Sequence, residues 1–279
     1  MNIKQLMKKG LLVFMAVSTL MSFSFCASNT SKVKLISAID GLVHGLQLER
    51  GVSAKTIGDK VKPQLLTEQR DFVDTAYDKV KASAEESGIE LSEKSAKIMD
   101  EMIANRDKVD DFSILAKDSN AKFSEANAEW IRIIREDVAK TISDATLAGS
   151  VAAHVSLVTA KENFGRGRAF VLGMLGLNKP IDEATMTAWN KILDAQKTSI
   201  ADFNANPNAS KEAMRIVKET LDGPDMTEVK KMRVAIIAKA ATGDFGVNSQ
   251  TWFLKITNVI NGLKKADDES IKFLISAAK

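Results

Sequence analysis

From about residue 33 onward, apolar residues recur at spacings of three and four and seldom alternate. That period belongs to helices with a buried face. Breaks in the pattern are sparse. Turn-forming residues cluster at 58–63, Ser87-Gly88, Asn178-Lys179-Pro180, Asn206-Pro207-Asn208, Gly223-Pro224 and 242–248. Between them the spacing predicts helices near 33–57, 64–86, 92–117, 121–147, 150–177, 181–204, 208–221, 225–241 and 248–277. Asn208 and Asn248 suit helix N-caps, and Asp225 with Glu228 reads as a capping box. Long helices in this number pack as bundles, so the expected class is all-α.

The first segment has a different character. Residues 1–26 carry Lys4, Lys8 and Lys9 and no acid, and an apolar run from Leu11 to Phe25 ends in small and polar residues. A basic start, an apolar stretch shorter than a membrane span and a small-residue exit read as a secretory signal peptide. Phe23-Ser24-Phe25-Cys26 also resembles a lipoprotein box, in which Cys26 would be lipidated. Both readings place the working domain, residues 33–279, outside the cytoplasm, in the periplasm or an equivalent compartment.

Composition then removes several function classes. The chain has 39 Lys and Arg against 36 Asp and Glu, and the three lysines of the leader account for the difference. A formally neutral mature protein is a poor partner for nucleic acid. One Cys excludes an internal disulfide and a CxxC metal site. No GxGxxG, P-loop, HExxH or Glu-x-x-His motif occurs, so no cofactor, no metal and no enzymatic activity are expected. Of the two histidines, His44 lies off its helix's apolar stripe and is expected to be solvated or hydrogen-bonded, and His154 to be structural. Glu85-Glu86 and Asp110-Asp111 read as solvated faces or helix ends.

The anomaly is arginine on apolar stripes. Ile36, Ile39, Val43, Leu46, Arg50, Ser53 and Ile57 share one helical face, with Arg50 in a core slot beside Gly51 and Ala54. Leu157, Phe164, Arg168, Val171 and Leu175 repeat the theme, with Gly165 and Gly167 leaving room. Arg233, between Val229 and Ile236, is a third case, although Met232 competes for its inward position. None of these stripes carries an Asp or Glu of its own, so each arginine must reach solvent, find a carboxylate on another helix, or hold an anion. An uncompensated Arg50 predicts that Arg50→Ala leaves unliganded stability unchanged or higher. Guanidinium forks match small oxyanions, and the small neighbours fit a cramped site.

Residues 42–54, Leu-Val-His-Gly-Leu-Gln-Leu-Glu-Arg-Gly-Val-Ser-Ala, resemble the opening motif of the nitrate/nitrite-sensing (NIT) domain family. Gln69-Arg70 with Asp74, the segment from Ala160-Lys161-Glu162 to Gly165 and Arg168-Ala169, and Trp252-Phe253 with Thr257 resemble later motifs, in order. The resemblance spans about residues 33–270. It implies two packed four-helix bundles, with nitrate or nitrite held between helices by Arg50, Arg168 and, on a looser match, Arg233. Gly167 stands where the family pattern has Glu, a loss that could change how Arg168 is oriented.

The leading expectation is therefore an exported, stand-alone sensor that binds a small anion and signals through a separate partner such as a membrane receptor or kinase. A homodimer is compatible with this. The competing expectation is a structural or interaction bundle that has lost the anion, marked by a carboxylate partner for each of Arg50 and Arg168.

Overall fold

A computed structural model describes residues 28–279, so the signal-peptide segment and Cys26 lie outside the described residues. Helix accounts for 84% of these residues, with no strand among them. Nine α-helices follow in order: α1 Asn29–Asp59, α2 Gln64–Ser87, α3 Glu93–Asp110, α4 Ala116–Arg132, α5 Ala145–Leu177, α6 Glu183–Ala205, α7 Lys211–Asp222, α8 Pro224–Ala238 and α9 Ser249–Ala277. No helix among the described residues is long and apolar enough to cross a membrane.

The termini follow local chemistry. Ser92, Asp144, Asp182, Ser210 and Asn248 each accept a hydrogen bond from a first-turn N–H with their side chains. These bonds satisfy donors that the first turn leaves free. Lys60, Gly88 and Asn178 end their helices in the left-handed conformation. Two expected caps moved. Ser210 caps α7 in place of Asn208, and Gly223 precedes Pro224 at the start of α8. Asp225 sits one residue inside, where it accepts from Lys255 and Asn258 of α9.

Two boundaries differ more. The break expected at 118–120 falls at 111–115, where Phe112 is left-handed (φ 58°) and Ser113 N–H donates to Asp111. Instead of running to 147, α4 gives way to a π-turn over Ile133–Val138 and a 3₁₀ turn over Ala139–Thr141. The wider turn still buries Ile133, Ile134 and Val138, so the apolar spacing carries through.

Two large hydrophobic cores result, and a third, small cluster joins Ile57, Leu66 and Val109 of α1, α2 and α3. The first joins α1, α2, α3, α4 and the start of α5, around Leu42, Trp130 and Val151, and takes in Ile271 and Leu274 from the end of α9. The second joins the rest of α5 to α6, α7, α8 and α9 around Trp189, Phe203 and Trp252. Helices α1, α5 and α9 pack against one another and bury polar side chains as well as apolar ones, among them Asp40, Arg50, Lys161, Glu162, Arg168 and Asp267.

Candidate functional site

Arg50 lies on the expected face of α1, and all seven residues of that seam are buried. Its guanidinium grips Glu162 of α5 through both forks: Nη1 donates to Oε1 at 2.6 Å and Nη2 to Oε2 at 3.1 Å. Oε2 also accepts from the amides of Gln47 at 3.1 Å and Asn127 at 3.0 Å. Nη1 additionally donates to Ser124 Oγ at 3.0 Å. Gly165 makes the approach feasible, because a Cβ there would lie 2.5 Å from Arg50 Nη2. Arg50 thus has a carboxylate from another helix and is compensated within the protein.

Arg168 does not. Its Nη1 donates to Thr257 Oγ1 of α9 and its Nη2 to the main-chain oxygen of Gln47, each at 3.0 Å. The guanidinium stands 5.2 Å from the centre of the Phe253 ring, and the Trp252 indole N–H donates to Arg168's own carbonyl. A Cβ at Gly51 would lie 2.5 Å from Nη2. Burial, aided by Arg50 and opposed by Glu162, lowers the Arg168 pKa to about 10. Gln47 binds Glu162 with its side chain and Arg168 with its carbonyl, so one residue draws the two arginines into one polar cluster. The Nε atoms of both arginines are buried with no partner among the described residues.

Arg233 is not brought into this cluster. It is half-buried beside Met232 and donates to Gln196 Oε1 at 2.9 Å, while Gln196 Nε2 donates to the Asn163 carbonyl. Burial alone lowers its pKa to about 10. Gly167 admits this arrangement: a Cβ there would meet Gln196 Nε2 at 2.7 Å. The small residue in the family's Glu position therefore makes room for the amide that holds Arg233, rather than opening space beside Arg168.

Sequence reasoning missed the rest of the buried polar layer. Lys161 is fully enclosed and binds Asp40 at 3.2 Å and, at closer range, Asp267, while Lys264 reaches Asp40 at 3.4 Å. Against burial, Lys161 and Lys264 hold the Asp40 carboxyl below its usual range; burial and the neighbouring Asp40 push Asp267 above it. His154 lies 3.2 Å from Ser270 Oγ and 3.5 Å from Asp267, and burial lowers its pKa to about 4. His44 is less solvated than expected: its Nδ1 is enclosed without a partner among the described residues, and burial, with Lys161 and Lys264, lowers its pKa to about 3. Asp40, His154 and Asp267 have ligand atoms within 4.8 Å of one another, but the Lys161 ammonium already supplies the positive charge there.

One signal could have exposed this layer. His154, Lys161 and Arg168 recur every seven residues, as do Asp40 with Gln47 and Thr257 with Lys264, so each set runs along one side of its helix. A second network, linking α1, α2 and α3, ties the enclosed Glu49 to Arg106 by two bonds of 2.9 Å, Arg106 to Asp74, and Arg70 to Asp110.

With this arrangement in view, residues 41–273 match the family model described as nitrate and nitrite sensing. The chain belongs to the nitrate and nitrite sensing (NIT) family. Membership makes it a module of the nitrate- and nitrite-sensing type. Among solved structures, the NIT chain is similar to that titled "Structure of the NasR transcription antiterminator", with a TM-score of 0.79 and 20% identity. The likeness covers 96% of this NIT chain and 74% of that one, and at this identity it concerns the fold. No curated protein sequence matches significantly.

Proposed function

We propose that this protein is an exported NIT sensor that holds one nitrate or nitrite beside Arg168 and Arg50 and passes the signal to a separate membrane partner. The observation that carries the reading is Arg168: a guanidinium buried to 2% exposure, with hydroxyl and carbonyl acceptors but no carboxylate among the described residues. A buried charge in that condition is costly, and a small anion relieves the cost. The unpaired Nε groups of both arginines provide two further donors. Arg233 has the weaker claim, since it shares no hydrogen-bond partner with the other two.

Export rests on the leader composition, and cleavage or lipidation at Cys26 is part of the proposal. The test is calorimetric titration of the mature protein with nitrate and with nitrite. Saturable binding of one anion per chain is expected, and an absence of heat at millimolar concentrations sinks the reading. The Arg50–Glu162 pair favours a second reading, a bundle that keeps the polar layer for structural reasons alone. Under that reading Arg168 should also have a carboxylate, and among the described residues it has none.

A further inference from the structure

We propose that Glu162 is a specificity-determining residue: its carboxylate cancels one of the two guanidinium charges of Arg50 and Arg168, so the site accepts a monovalent oxyanion in preference to a divalent one. The inference rests on the reading of these arginines as an anion site and adds the residue that sets the site's charge.

Three observations support it. First, Glu162 is firmly held. Its two oxygens accept four hydrogen bonds, two from Arg50 and one each from Gln47 and Asn127. An anion arriving beside Arg168 would have to break all four to displace it, stranding a carboxylate that is only 5% exposed. Second, the charged groups that act on Arg168 are Arg50 and Glu162, so the local sum is two positive charges and one negative. Third, the enclosed groups of the adjoining layer of α1, α5 and α9 offer no spare positive charge: Asp40 and Asp267 face Lys161 and Lys264, and Lys264 also reaches the exposed Asp268. One uncompensated positive charge therefore sits at Arg168. A monovalent anion brings the cluster to neutrality; a divalent anion leaves a buried negative charge, the condition that low-dielectric surroundings penalise most. Nitrate and nitrite fit this requirement, and sulfate does not.

The experiment titrates wild type and Glu162→Gln with nitrate, perchlorate and sulfate. Perchlorate and sulfate share a tetrahedral shape and differ in charge, which separates charge from size. Wild type should bind nitrate at least about a hundredfold more tightly than sulfate, the scale of an unpaired buried charge. The perchlorate-to-sulfate ratio should lie on the same side. Glu162→Gln keeps one acceptor oxygen and removes the negative charge, so both ratios should fall by at least about tenfold. Unchanged ratios in the variant would overturn the proposal. Should the variant fail to fold, wild type decides: sulfate or any divalent oxyanion bound as tightly as nitrate and perchlorate overturns the proposal. If wild type binds none of the three ions, the anion-site reading falls, and this inference with it; ratios unaffected by Glu162→Gln remove this inference alone.

Discussion

Arg50 and Glu162, 112 residues apart in sequence, meet through hydrogen bonds of 2.6 and 3.1 Å inside the contact between α1 and α5. The pair divides the two arginines into unlike halves. Arg50 is bound to a carboxylate and fixes the packing of two long helices, whereas Arg168, reached through Gln47, keeps an unmatched charge.

Arg50→Ala should therefore destabilise the unliganded protein by about 3–5 kcal/mol, because Glu162 is left buried with amide donors only. Sequence alone implied little change, and the partner on α5 reverses that expectation. Urea unfolding of Arg50→Ala and of Arg50→Ala/Glu162→Ala checks it: the double variant should recover part of the loss. A double variant no better than the single would mean that Glu162 is not what the single variant strands.

Arg168→Met should behave in the opposite way. No carboxylate loses its partner, so unfolding free energy should stay within about 1 kcal/mol of wild type or rise. Anion binding, read by calorimetry, should disappear. Strong destabilisation with binding intact would contradict both halves of the expectation.

Gly51→Ala places a methyl group 2.5 Å from Arg168 Nη2 and Gly165→Ala one at the same distance from Arg50 Nη2. Each gains roughly 0.5–1 kcal/mol of helix preference, and each forces an enclosed guanidinium to move. Melting temperatures should change little while anion affinity falls. Gly41→Ala is the control, since its added carbon meets nothing within 4 Å. It should raise the melting temperature and leave affinity alone.

His154 gives a pH dependence of definite sign. Its pKa falls from 6.5 to about 4 on folding, so below pH 6.5 the unfolded chain takes up the proton first. The stabilisation is complete above that value and is lost as pH falls toward 4, by up to about 3 kcal/mol. His44, lowered to about 3, adds to the same slope. Unfolding measured between pH 7 and 4.5 should show the decline, and His154→Gln should flatten it. An equal slope in the variant would assign the effect elsewhere.

Much of the fold could be read from spacing, because α1 buries all seven residues of its seam and every helix has a counterpart in the apolar pattern. The π-turn at 133–138 escaped, since one extra residue in a turn leaves the apolar positions close to phase. Arg50 and Arg168 were legible as polar interruptions of apolar stripes. Glu162 was not, although it lies in the quoted Ala-Lys-Glu segment. A single-stripe view of α5 hides it, for that helix buries residues on every side around 153–169 and a carboxylate off the stripe is enclosed as well. Arg233 failed for a different reason: with Met232 and Arg233 both half-buried, periodicity could not decide which one faces inward.

The passage of α5 through both hydrophobic cores bears on how the domain comes apart. Its first half supplies Leu147, Val151 and Val158 to one core and its second half Phe164, Val171 and Met174 to the other. Neither core can melt without baring a stretch of the same rod, and the last turns of α9 bind the far end of the chain into the first core too. Unfolding should consequently follow a single cooperative transition, superimposable by far-ultraviolet circular dichroism and by tryptophan fluorescence from Trp130 in one core and Trp189 and Trp252 in the other.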